Sequence, residues 1–174
     1  MGGTRTTIVL AMHGAPPMDF PKQDLGEFFG LHMQLEHGPV EADQASPQRK
    51  RYAALEKTML EWPRDETNDP FYAASHRLAE ALRQSAGLDA IVGFNEFCAP
   101  SVAQALDQAV DQGADQVLVV TPMMTAGGEH AEVDIPAAID AAARRHRRIE
   151  FRYAWPFDTA DVAAFLAQQV LRHI

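Results

Sequence analysis

Residues 116–123 read Gln-Val-Leu-Val-Val-Thr-Pro-Met, and the unbroken apolar run Val117–Val120 suits a strand covered on both faces. Such strands belong to parallel sheets, whose crossover helices shield both sides. Upstream, Pro100 opens a helix with Val102, Leu106 and Val110 at helical spacing, which stops near Gly113. Before it, Leu88–Phe97 reads as a strand. Asn68-Asp69-Pro70 starts a helix that reaches about Ser85, buries Leu78 and Leu82, and is broken by Gly87. The β-branched run Thr6–Met12 is the first strand. Downstream, Thr125–Glu132 is a loop, Asp134 is an N-cap for a helix from Ile135 to Arg147, Ile149–Ala154 is the last strand, and a final helix covers about Asp158–His173.

Strands alternating with helices imply right-handed crossovers. The expected fold is α/β: a doubly wound sheet of four parallel strands in the flavodoxin-like order 2-1-3-4. Residues 1–174 are expected to form one domain. Residues from about 15 to 69 hold six prolines and two helices, near Gln23–Glu36 and Pro47–Glu61, the second with apolar Tyr52, Leu55, Met59 and Leu60. That is too long for a plain strand-to-helix loop, so it reads as a helical insertion after the first strand. In a sheet of this order, ligands bind beyond the carboxyl ends of the strands, at the switch point between strands one and three.

A formal net charge of -9 and a pI near 5.1 argue against a nucleic-acid surface, which needs clustered cations. The one cationic cluster, Arg144, Arg145, His146, Arg147 and Arg148, falls at a helix end, where it complements the dipole. Cys98 is the only cysteine, which excludes an intramolecular disulfide and a cysteine-based zinc site. The apolar run near the N-terminus is too short for a signal peptide or a membrane span, so no membrane partner and a cytoplasmic location are expected.

The geometry singles out two of the seven histidines. His13 ends strand one and His130 follows strand three, so both face the crevice. Neutral imidazole suits borderline divalent ions, and two rings would hold one loosely with positions left open. Spacing alone leaves a polar loop residue equally open for each. Glu96, in Phe-Asn-Glu-Phe-Cys-Ala-Pro, ends strand two at the same rim, and Glu129 and Glu132 flank His130. A carboxylate there could orient a ring or accept a proton. Asp134 is better explained by the helix N-terminus, while Glu132 fits either role. Gly127-Gly128 would let the backbone approach a ligand, or simply make a turn. Met123 and Met124 are pocket or core side chains. His32 and Glu36 share a helical face that His37 does not, and an exposed helix surface explains them better than a second metal site. His76, His146 and His173 read as surface residues on helices.

These motifs together resemble the CbiX and SirB family of sirohydrochlorin chelatases, relatives of class II ferrochelatase. Gly127–Pro136 (GGEHAEVDIP) is similar to the family's Gly-x-His-x-x-x-Asp-Ile-Pro signature, preceded by VLVVTPMM as in the family. Residues 93–106, GFNEFCAPSVAQAL, resemble its Phe-x-Glu-x-x-x-Pro-Ser segment, and strand one ends in His13-Gly14 as theirs does. The resemblance runs from about Asp69 to the C-terminus, plus the first strand. It implies a lyase that inserts Co2+ or Fe2+ into a reduced tetrapyrrole such as sirohydrochlorin, without ATP or an organic cofactor, in cobalamin or siroheme biosynthesis. Ni2+ and Zn2+ also suit the donors. His13 and His130 match the two active-site histidines and metal ligands, Glu96 matches the acidic residue of strand two, and Gly14, Gly127 and Gly128 would line the bound ligand. Short members pair, so a homodimer is expected.

The chain departs from the pattern after strand one, where His-Gly-Ala-Pro-Pro replaces the family's His-Gly-Ser-Arg. Lys22, Arg49, Lys50, Arg51 and Arg77 are cations that could meet substrate carboxylates instead, and the insertion could cap the cleft. One alternative function is a metal or tetrapyrrole carrier without efficient turnover. A histidine phosphatase also places His-Gly after its first strand, but it needs an arginine where this chain has Met12.

Overall fold

In the computed structural model, which describes residues 3–37 and 46–174, the run Thr6–Met12 forms β1. Helices α1 (Lys22–His37), α2 (Pro47–Leu60) and α3 (Pro70–Ala86) follow before β2 (Asp89–Phe94). Then come α4 (Val102–Asp111), β3 (Gln116–Val120), a single π-helical turn (His130–Asp134), α5 (Ile135–Arg145), β4 (Glu150–Tyr153) and α6 (Thr159–Leu171). The strands form one parallel sheet in the order β2-β1-β3-β4. β1 is central, with Met12 opposite Phe94 on one side and Leu10 opposite Val120 on the other. That is the expected fold.

Alternation along β1 divides the core. Val9 and Ala11 join Val117 and Val119 under α4 and α5, packed on Ala105, Leu106 and Ile135. Leu10 and Met12 face the other way, with Val92, Phe94, Cys98 and Ala79 of α3. Burial of each large apolar side chain contributes roughly 1.5–3 kcal/mol, so β1's register is held firmly on both faces. A third cluster, Phe20, Phe28, Leu55 and Met59, joins α1 to α2.

Capping explains the helix starts: Asp69 accepts from the Tyr72 amide, Ser101 and Gln104 make a reciprocal capping box, and Asp158 accepts from the amides of Ala160 and Asp161. Several bounds differ from expectation. β2 stops at Phe94 because Asn95 turns back, its amide and side-chain Nδ2 both donating to the Met12 carbonyl at 2.9 and 2.8 Å. β3 stops at Val120, just before Pro122, which has no N–H for the ladder. In α3 the small Ser75 and Ala79 face the sheet, which leaves Leu78 exposed instead of buried. α5 ends at Arg145, so His146 caps it and pairs with Asp107. Helix α6 buries none of its side chains.

Arg64 ties the α1–α2 pair to the sheet. Its guanidinium is buried and donates to the carbonyls of Ala15 (2.7 Å), Met59 (3.1 Å) and Phe97 and to the Asp69 carboxylate, itself buried.

Candidate metal centre

Three loops at the carboxyl edge of the sheet bring His13, Glu96 and His130 together. Each follows a strand, and adjacent strands in register place the loop origins side by side. The turn after β2 is anchored on the end of β1: the amides of Asn95 and Glu96 both donate to the His13 carbonyl at 3.1 Å. Gly14 permits this closeness. It has φ +113°, and a Cβ on it would lie 1.9 Å from the Glu96 carbonyl oxygen. The Glu96 backbone therefore occupies the space a side chain at position 14 would need.

The Glu96 carboxylate reaches both rings, with Oε1 at 3.1 Å from His13 Nδ1 and 3.6 Å from His130 Nε2. The imidazoles meet edge to face, centroids 4.6 Å apart at 86°. Among the described residues, these three offer ligand atoms all within 4.8 Å of one another. Atoms bound at about 2.1 Å to a common ion lie roughly 3–4 Å apart, so small side-chain rotations suffice to close on one. All three are partly accessible, His13 the most and His130 the least.

Asp134 is not a helix cap. Its backbone is α-helical and its side chain makes no capping bond; Oδ2 instead lies 2.6 Å from His130 Nδ1. A carboxylate there requires a proton on Nδ1, which leaves the Nε2 lone pair directed at Glu96 and free for a metal. His13 Nδ1 likewise faces acceptors, the Gly14 carbonyl at 2.9 Å and Glu96, so its open lone pair is also on Nε2. Glu132 holds the neighbouring turn together, its carboxylate accepting from the Gly127 amide at 2.7 Å and its amide donating to the Gly128 carbonyl. Gly127, at φ +92°, and Gly128 form that exposed turn beside the site. Glu129 is exposed and makes no side-chain cap.

Other sequence candidates lie elsewhere. His32 stacks with Phe28 and Tyr52 between α1 and α2, while the side chains of Glu36 and His37 lie outside the described residues. Of the cations suggested for substrate carboxylates, Arg51 is paired with Asp24 and Glu27, and Arg77 with Glu66. Sequence reasoning misses the parts that Arg64 and Asp134 play. The i,i+4 spacing of His130 and Asp134 is the available signal for one; nothing local marks the other. Among the described residues, no helix is long and apolar enough to cross a membrane.

A family model described as CbiX matches residues 67–173. The chain belongs to the CbiX family. The matched segment carries Glu96, His130 and Asp134, while His13 lies upstream of it. Sirohydrochlorin cobaltochelatase of Priestia megaterium is 37% identical over 70 residues, which are 40% of this chain and 22% of that protein. The protein of the same name from Methanopyrus kandleri is 36% identical over 61 residues, 34% of this chain and 42% of that one. The chain thus spans less than half the length of these curated relatives. Among solved structures, a cobalamin (vitamin B12) biosynthesis CbiX protein from Marinobacter aquaeolei VT8 is 18% identical with a TM-score of 0.54, covering 97% of this CbiX chain and 95% of that one. At that identity the likeness concerns the fold.

Proposed function

We propose that this CbiX chain is a chelatase that inserts Co2+ or Fe2+ into a reduced tetrapyrrole such as sirohydrochlorin, without ATP. The observation that carries the reading is the meeting of His13, Glu96 and His130 at the rim of the sheet, on a chain similar in sequence to sirohydrochlorin cobaltochelatases. Two imidazoles with open Nε2 lone pairs hold a divalent substrate ion loosely enough to release it, and Asp134 fixes the tautomer of one. Insertion expels two pyrrole protons as the macrocycle nitrogens take the metal. Glu96, within reach of both rings, accepts them in turn and passes them to solvent through its exposed side.

A second copy of the chain would complete the cleft. Support comes from α6, where Phe165, Leu166, Val170 and Leu171 are all at least half exposed. The deciding assay follows metal-dependent spectral conversion of sirohydrochlorin by wild type and by His130→Ala. Conversion by wild type well above the spontaneous rate, lost in the variant, is the expected result. Macrocycle binding without conversion in wild type would leave a carrier, not a chelatase.

A further inference from the structure

The turn that carries Glu96 is held from three directions. The Glu96 amide donates to the His13 carbonyl at 3.1 Å, and the Glu96 carbonyl accepts from the Cys98 amide at 2.7 Å. The next carbonyl, that of Phe97, accepts from Arg64. Among the described residues, Phe97 is the one non-glycine residue with a positive φ, +60°. A bulky side chain in that region crowds its own carbonyl oxygen and persists only where the surroundings over-determine it. The crowded carbonyl is the one that Arg64 holds.

Arg64 is placed for more than joining helices. Its Nη1 donates at 2.7 Å to the carbonyl of Ala15, two residues past His13, and its Nη2 donates to Phe97, one residue past Glu96. One planar fork thus spans the two loops that carry these ligands, on the far side from the rim where Gly14 lets them touch. The fork is itself anchored by the Met59 carbonyl of α2 at 3.1 Å and by Asp69 at the start of α3. Both side chains of the ion pair are almost wholly buried, 4% exposed for Arg64 and 1% for Asp69. Such a pair is a weak source of stability, because packed apolar residues of similar volume often serve as well. No apolar residue, and no lysine, supplies a rigid set of donors that bonds several carbonyls at once.

We infer that Arg64 is a positioning residue of the metal centre: by holding the Ala15 and Phe97 carbonyls it keeps Phe97 left-handed and the Glu96 carboxylate aimed at His13 and His130. Without that hold, Phe97 relaxes toward negative φ and turns the Glu96–Phe97 peptide. Glu96 Oε1 then leaves its distances of 3.1 and 3.6 Å from the two rings. This rests on the chelatase reading of the centre and gives a part in it to a residue outside 67–173, the segment that matches the family model.

The test is a double-mutant cycle on Co2+ affinity, with wild type, Arg64→Lys, Glu96→Gln and the double variant titrated with cobalt alone by isothermal calorimetry. Lysine keeps a cation beside Asp69 but cannot reproduce the fork, so folded Arg64→Lys should bind Co2+ about tenfold more weakly. In the Glu96→Gln background the same replacement should change affinity by less than about twofold, because the carboxylate it aims is gone. A purely structural role would cost as much in both backgrounds. Thermal melts verify folding. If Arg64→Lys does not fold, Arg64→Met with Asp69→Asn takes its place in the cycle, since it removes both buried charges and asparagine still caps α3. Equal losses in the two backgrounds, wild-type affinity in a folded Arg64 variant, or failure of both variants to fold would overturn the inference and leave the metal centre standing. A wild-type protein that binds no Co2+ would remove the centre itself, and the chelatase reading with it.

Discussion

Replacing Gly14 by alanine puts the geometry of the centre under direct strain. The new Cβ would sit 1.9 Å from the Glu96 carbonyl oxygen and 3.0 Å from its carbon. Because the clash is with backbone, no rotamer relieves it, and the carbonyl must retreat by roughly 1 Å or more to restore ordinary contact. A side chain at φ +113° costs about 1–3 kcal/mol by itself. The retreat also breaks the 2.7 Å bond from the Cys98 amide to that carbonyl, worth about 1 kcal/mol. The total, about 2–4 kcal/mol, corresponds to a fall of roughly 5–15 °C in Tm for a chain of this size. Glu96 moves with its backbone, so Co2+ affinity should drop about tenfold or more.

Differential scanning fluorimetry and isothermal titration with Co2+ read the two effects. Gly128→Ala is the stability control, since a Cβ there meets nothing within 4 Å and its φ is not positive. It should leave Tm within about a degree or two. A Gly14→Ala protein that melts and binds cobalt like wild type would refute the close approach of Glu96 to β1.

Three further outcomes follow from the same structure. Asp134→Asn should weaken Co2+ binding by roughly 10–100-fold with little change in Tm, because the exposed residue orients His130 and makes no helix cap; isothermal titration measures the first and a thermal melt the second. Arg64→Met should lower stability by about 3–5 kcal/mol in urea unfolding, since Asp69 would be left buried and unpaired. Burial pushes the Cys98 thiol up to about 11, so the folded chain keeps a proton that the unfolded chain loses near pH 8.5–9. Stability should therefore fall by about 2–3 kcal/mol between about pH 9 and 11, and Cys98→Ala should flatten that slope in urea titrations.

What is readable in the sequence is local or periodic. β1 has its expected bounds because β-branched residues run unbroken up to His13-Gly14. Asn68-Asp69-Pro70 and Pro100 announce their helices in the sequence, and in the structure Asp69 and Ser101 satisfy the first-turn amides. The parallel sheet follows from alternation and right-handed crossovers, and the order 2-1-3-4, read as the most economical doubly wound one, is the order observed. Errors arise where a partner distant in sequence decides the outcome. Leu78 is exposed because Ser75 and Ala79, flanked by Tyr72 and Leu82, take the sheet-facing side of α3, and no helical period reports how close a sheet approaches. Arg64 sits in a polar, proline-flanked stretch, and its burial depends on acceptors from Ala15 to Phe97. His13 and His130 can be named from strand ends and motifs, but Gly14 owes its importance to the backbone of Glu96, 82 residues away.

Asp134 defies its sequence reading for a different reason: the helix starts earlier than its residues suggest, and with a different pitch. The amide of Ile135 donates to the His130 carbonyl, a bond five residues back. A π-helical turn is wider than an α-helical one and brings residues five apart closer to a common face, so His130 lies nearer the side of Ile135, which is wholly buried. In a regular α-helix, at about 100° per residue, five positions carry a side chain roughly 140° around the axis. His130 would then face away from β1, out of reach of Glu96 and His13. The extra residue is absorbed on the solvent side, where Val133 is 56% exposed. Asp134, one turn on, still faces His130 and can hold its Nδ1. The irregular turn thus reconciles two demands that a straight helix could not meet together: Ile135, Ile139 and Ala142 packed into the core, and an imidazole aimed across the crevice.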